Sequence, residues 1–225
     1  MEIGDWRFDF IAYMYFKDRA DAGKKLSKSL EKYRNKDAVV YALPRGGVIL
    51  GEVIARELNL PLSLVITRKI GHPMQREYAV CVVAEDGHMI CNEDEKPSLA
   101  EEWLRKQIEI EKLEAKRRRE VYLPNHETLS AKDKIAIIVD DGIATGLTME
   151  LAIRELRHDN PKKIIVAVPV ITKDTADKFN KEEVELVALE FSEFHLGSVG
   201  AYYENFPQIE DDEVIEIFKN AKSKH

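Results

Sequence analysis

The chain has 225 residues, of which 44% are hydrophobic and 33% charged, and its formal net charge is -7. That length holds one α/β domain with additions, and the apolar content supports a buried core, which excludes a disordered chain. The negative balance excludes a protein that coats nucleic acid through a basic surface, so any anion site has to be local.

Residues 1–16 are apolar but carry Glu2, Asp5, Arg7 and Asp9. Their uncharged run Phe10–Phe16 is far too short for a membrane span, and a cytoplasmic protein with no membrane partner is expected. Ala22, Leu26, Leu30 and Tyr33 form one stripe of a helix. The first strand is expected at Ala38–Leu43 and feeds Pro44-Arg45-Gly46-Gly47, after which Val48, Ile49, Val53, Ile54 and Leu58 recur at helical spacing. Leu62–Thr67 reads as a second strand, and Arg68–Glu77 as a charged loop containing Gly71 and Pro73. Tyr78–Ala84 and His88–Cys91 read as a hairpin around Glu85-Asp86-Gly87. The two cysteines, Cys81 and Cys91, sit on that hairpin, where they could face each other across it, and are expected to be reduced core thiols.

Ser98 and Glu101 suggest a capping box for a long charged helix ending near Glu120. Its run Lys116-Arg117-Arg118-Arg119 follows Glu109, Glu111 and Glu114 and reads as a solvated helix end, where cations suit the dipole. Strands are expected at Lys163–Ile171 and Val184–Leu189 with a helix over Thr172–Asn180 between them. The segment from Phe191 is aromatic and loop-like, either a lid for a flat base or a stretch packed on the core, and includes His195 beside Phe194. A last helix carries Val214, Ile215, Ile217 and Phe218.

The most informative stretch is Ile135–Met149, IAIIVDDGIATGLTM. Its uniform apolar run fits a strand covered on both faces, with Asp140 and Asp141 at the carboxyl end where open α/β sheets bind ligands. Gly142, Ile143, Ala144, Thr145, Gly146, Leu147 and Thr148 follow, and the helical pattern of Leu147, Leu151, Ile153 and Leu156 begins at once. Paired carboxylates accept hydrogen bonds from a diol, and amides at a helix start cradle a phosphate, so the segment suits a sugar phosphate. Neither G-x-x-x-x-G-K-[ST] nor a G-x-G-x-x-G fingerprint is present in it. Upstream, Arg45 is suited to pair with a diphosphate, which Gly46 and Gly47 allow the backbone to approach.

This order of strand, two acids and a loop ending Thr-Gly-x-Thr resembles the phosphoribosyl-diphosphate (PRPP) motif of type I phosphoribosyltransferases. The segments FKDRADAGKKL, LPRGGV, TRKIGHP, VDDGIATGLTM and VGAYYENFPQIEDDEV extend the resemblance over nearly the whole chain, toward a subgroup whose acceptor base is unassigned. The resemblance implies a mostly parallel, Rossmann-like central sheet flanked by helices. It also implies one phosphoribosyltransferase domain over residues 1–225, with a core of about 36–190 and a hood from the N-terminal helix and the 191–225 tail. In that family the two acids hold the ribose 2′- and 3′-hydroxyls, residues 142–148 hold the 5′-phosphate, and the loop after the first strand holds pyrophosphate, often through a cis peptide. The implied partners are PRPP, Mg²⁺ held mainly by PRPP with no direct protein ligand, an acceptor of nucleobase type and no nucleic acid; a homodimer is compatible. Arg68 and Lys69 are placed as diphosphate clamps on a mobile loop. Glu77 becomes the acid/base candidate, because Ala144 stands where hypoxanthine-type members use a proton-handling Asp. A PRPP- or nucleotide-sensing module without turnover is the alternative.

Overall fold

In a computed structural model of the protein, the described residues are 16–96, 99–123, 128–193 and 198–222, without the side chains of residues 76–77 and 221–222. Eight strands and six helices follow one another along them: α1 (Arg19–Ser29), β1 (Ala38–Ala42), α2 (Gly46–Leu58), β2 (Leu62–Leu64), β3 (Thr67–His72), β4 (Gln75–Ala84), β5 (Met89–Cys91), α3 (Glu101–Tyr122), β6 (Ile135–Val139), α4 (Leu147–Arg157), β7 (Lys163–Thr172), α5 (Lys173–Phe179), β8 (Glu185–Ser192) and α6 (Asp211–Lys222).

The central sheet has five parallel strands in the order β2-β1-β6-β7-β8. Successive side chains of a strand face opposite sides, so each strand feeds two cores. Val40, Ile137, Val139, Ile165 and Ala167 pack with Leu26 of α1 and Leu50 and Ile54 of α2. Val39, Tyr41, Ala136, Ile138 and Val166 pack on the other face with Met149 and Ile153 of α4 and Phe179 of α5. Burial on both faces is why these strands are apolar throughout, and it confirms the expected helix-flanked parallel sheet.

The segment Arg68–Glu77, expected as a loop, is instead most of a hairpin. β3, β4 and β5 form a separate antiparallel sheet, with Thr67 opposite Ala84 and Ile70 opposite Cys81. Adjacent Arg68 and Lys69 break the period-two apolar pattern, which hid this strand from the sequence. One face of the small sheet, with Ile70, Val80 and Val83, packs against Leu104 of α3. Its other face, with Val82, Ala84 and Ile90, packs against Leu151 of α4.

Cys81 and Cys91 form a disulfide, correcting the expectation of reduced thiols. They are direct partners across β4 and β5, a register that sets the two side chains against each other. The expected capping box is absent from α3: its N-cap is Ala100, which makes Glu101 the first helical residue, and Ser98 lies outside the described residues. The basic run near the end of α3 is ion-paired. Arg117 and Arg118 hold Glu114, Arg117 also reaches Asp211, and Arg119 pairs with Glu85. No helix among the described residues is long and apolar enough to cross a membrane.

Candidate active site

Neighbouring β1 and β6 run in register from Ala38↔Ile135 to Ala42↔Val139, so the loops after them emerge side by side. One carries Pro44-Arg45-Gly46-Gly47 and the other Asp140-Asp141. The Pro44–Arg45 peptide bond is cis. The two loops touch: a Cβ on Gly46 would lie 1.9 Å from Asp141 Oδ2, and one on Gly47 would lie 2.7 Å from the Val139 carbonyl oxygen. Glycine is therefore required here for the approach of the acid pair itself. The Gly47 amide donates to the Leu43 carbonyl at 3.1 Å, so it is not free for an anion as the sequence reading supposed.

Asp140 Oδ1 accepts from the Asp141 amide at 2.8 Å. Asp141 Oδ2 accepts from Arg19 Nε at 2.8 Å, with the two side chains only 8% (Arg19) and 16% (Asp141) exposed. Burial pushes the Asp140 carboxyl well above the usual carboxylate range, with the neighbouring Asp141 adding to the rise. Asp141 is also raised by burial, against the pull of Arg19. Lys69 lends positive charge to both acids.

Arg19 is the functional residue the sequence reading missed. Its guanidinium donates to the Pro207 carbonyl at 2.7 Å and lies 3.6 Å from the centroid of the Phe206 ring. Tyr203, its ring tilted by 36° against that of Phe206, donates its hydroxyl to the Asp141 carbonyl at 2.6 Å. Residues 16–17 and 202–205 pair through their backbones, which brings the start of the described chain and the segment before α6 to the acid loop. A signal existed: Arg19 continues the apolar stripe of Ala22 and Leu26 back by three residues, where a charge needs a buried partner. Arg19→Met should destabilise the protein by about 2 kcal/mol in urea denaturation at neutral pH. That is less than a fully buried ion pair would cost, because the orphaned Asp141 can take up a proton. For the same reason the loss should shrink as the pH falls; a pH-independent loss would assign Arg19 a packing role alone.

Of the other predicted residues, Arg45 bonds Glu210 at 3.1 Å and lies 3.6 Å from Asp211. Arg68 and Lys69 are not brought together. They are consecutive on β3, so their side chains leave opposite sides of the strand: Arg68 makes a 2.8 Å ion pair with Glu111 of α3, while the charge of Lys69 acts on both acids. Glu77 falls within β4, and its side chain lies outside the described residues, as do Phe194 and His195.

Residues 142–148 form the turn into α4. Gly146, the N-cap, has φ 85°, and a Cβ there would meet Thr175 at 2.9 Å. The Ile143 amide donates to Val170, and the Ala144 carbonyl accepts from the Thr175 hydroxyl, which fixes the turn. Ile143 and Leu147 turn their side chains into the cores. Thr145 stays exposed and Thr148 half-buried. Beside this turn is a shallow, mostly apolar depression with room for about one water molecule, lined by Ile143, Ala144, Val170, Thr172, Val199 and Tyr202 among others.

The family profile of the phosphoribosyl transferase domain matches residues 16–203. The chain belongs to this family. Two curated relatives, from Mycobacterium tuberculosis strains CDC 1551 and H37Rv, are each 35% identical over 212 residues and each named "Putative phosphoribosyl transferase". The match covers 92% of this chain and 47% of each relative, so the chain spans about half their length. Among solved structures, TT1426 from Thermus thermophilus is similar at 31% identity and a TM-score of 0.75, over 92% of this chain and 99% of that one. The resemblance drawn from the motif and the fold class it implied are thereby established for this phosphoribosyl transferase family member.

Proposed function

We propose that the protein transfers the 5-phosphoribosyl group of PRPP to a nitrogen nucleophile of nucleobase type and releases pyrophosphate. The observation that carries this reading is the meeting of the Arg45-Gly46-Gly47 loop with Asp140 and Asp141 at the ends of two adjacent parallel strands. In this reading Asp140 and Asp141 accept hydrogen bonds from the ribose diol, and the amides of residues 144–148 with the Thr145 and Thr148 hydroxyls hold the 5′-phosphate, the Ile143 amide being engaged by Val170. The nitrogen lone pair attacks C1, the C1–O bond breaks with its electron pair leaving on the diphosphate, and the nitrogen gives up its proton. Arg45 and Lys69 offset the charge that develops on the leaving group. Glu77 is assigned the proton, and Arg68, held by Glu111, keeps the strand of Lys69 against α3.

The oxygen-only donors Asp140 and Asp141 suit a hard cation, but Arg19 already occupies Asp141. Mg²⁺ would accordingly be held mainly by the diphosphate oxygens, where it supplies further charge neutralisation.

The direct test is pyrophosphate release from PRPP across a nucleobase panel. The sensing alternative is favoured by Ala144 at the proton-handling position of the motif, and it predicts PRPP binding without release. A second expectation concerns Arg45. Diphosphate must displace Glu210 from it, so Arg45→Ala should weaken pyrophosphate binding by only about 1–2 kcal/mol and leave ribose 5-phosphate binding nearly intact. Calorimetry showing equal losses for both ligands would move Arg45 away from the diphosphate.

A further inference from the structure

Away from the acid loop, at the C-terminal end of α4, three potential metal ligands converge from two separate elements. His88, Glu155 and His158 each offer a ligand atom within 4.8 Å of the others, as no other such group does among the described residues. Glu155 and His158 are three apart and share one face of the end of α4. His88 comes from the turn between β4 and β5. Its Nδ1 lies 2.9 Å from Glu155 Oε1 and 3.0 Å from Asp86 Oδ2, and its ring centroid lies 4.8 Å from that of His158. We propose that these residues, with Asp86 as fourth ligand, form a binding site for a divalent transition-metal ion of the zinc class.

The donor set is two imidazoles and two carboxylates, which suits Zn²⁺ or Co²⁺ and not Mg²⁺. In a tetrahedral zinc site with ligand bonds near 2.0–2.1 Å, neighbouring ligand atoms stand about 3.3 Å apart. Small side-chain rotations would bring the present group to that spacing. An ion pair with Asp86 and Glu155 accounts for His88 alone, whereas a shared cation accounts for both imidazoles. The position is favourable in two further ways. The end of α4 is the negative pole of its dipole, which attracts a cation. The Asp86 Oδ1 atom accepts from the His88 amide at 2.9 Å, which holds the turn in place. A bound ion would tie the tip of the small sheet that carries Lys69 to the far end of the helix that begins at the candidate phosphate turn. It would thus brace the two halves of the site without touching it.

The experiment uses the full chain without a histidine tag, stripped with chelator, and titrated with Zn²⁺ by calorimetry and with Co²⁺ by visible absorption. One equivalent of Zn²⁺, an intense tetrahedral Co²⁺ band and no competition from excess Mg²⁺ are expected. The His88→Ala/His158→Ala variant should bind Zn²⁺ more than 100-fold more weakly, since even outer-shell partners of a metal site are worth about 10–100-fold. Circular dichroism checks that it folds, and Glu155→Gln supplies an independent variant with an expected loss of at least about 10-fold. No zinc uptake by the wild-type chain would overturn the proposal. So would an octahedral Co²⁺ spectrum, or uptake that persists unchanged in the folded variants.

Discussion

Replacing both Asp140 and Asp141 by asparagine is expected to weaken PRPP binding by about 2–5 kcal/mol, roughly 30- to 5,000-fold in Kd. Each carboxylate would lose a charge-assisted hydrogen bond to the ribose diol, and an amide offers only a weaker acceptor there. The single variants should part company in the protein without ligand. Asp140 has no ion pair among the described residues, and burial beside Asp141 raises its folded-state pKa above the unfolded value. A carboxyl raised in this way is a burden at any pH where the unfolded chain would ionise it, and the burden fades as the pH falls toward about 3.9. Asp140→Asn keeps an acceptor for the Asp141 amide and removes the charge, so it should raise the melting temperature at neutral pH while weakening PRPP. Asp141→Asn removes the charge that faces Arg19 Nε and leaves a buried guanidinium short of its counter-charge, so it should weaken both stability and binding. Calorimetry and thermal melts on the two variants separate these outcomes. Unchanged PRPP affinity in the double variant would remove the acid pair from the sugar site.

How much of this was legible in the sequence differs from element to element for physical reasons. Strand β6 was read to the residue, because a strand buried on both faces is apolar throughout and ends abruptly at the two acids. That Arg45-Gly46-Gly47 would serve the same site as Asp140-Asp141 was expected from the motif resemblance, whereas the adjacency of their two strands emerged only from the structure. What the sequence hid was what depends on contacts between distant segments. The ion pair of Arg19 with Asp141 spans 122 positions, and only the misplaced charge on the α1 stripe hinted at it. The β3–β4 hairpin was masked because its charged residues serve different partners: the charge of Lys69 acts on the acids and Arg68 pairs with Glu111, so no apolar alternation remained to be read. The β4–β5 hairpin was recognised, and with it that its two cysteines could meet across it. Their oxidation state was misjudged, because spacing sets two sulfurs opposite each other without fixing whether they are joined, which depends on the redox surroundings.

Glu77→Gln is expected to lower turnover by about 10²–10⁴ while leaving PRPP affinity largely intact. The motif turn has Ala144 where a proton-handling acid would otherwise stand, so the acceptor nitrogen must pass its proton elsewhere. The backbone of the small sheet points to Glu77. Register between β3 and β4 jumps from Gly71↔Ala79 to His72↔Gln75, which leaves residues 76–78 as a bulge at the tip of the hairpin. Bulges interrupt a ladder and re-aim side chains, and they recur beside active sites. This one lies on the same two-stranded ribbon as Lys69, whose charge reaches both acids. Glutamine keeps the volume and one acceptor and removes only the titrating group. A general acid/base role therefore predicts loss of one limb of the pH–turnover profile together with the fall in kcat, measured with whichever nucleobase the panel identifies. Wild-type turnover with an unshifted profile in Glu77→Gln would leave charge neutralisation at the diphosphate, by Arg45 and Lys69, as the source of catalysis. An acceptor that needs no base at neutral pH would then be favoured, since departure of the diphosphate, not proton transfer, would limit the rate.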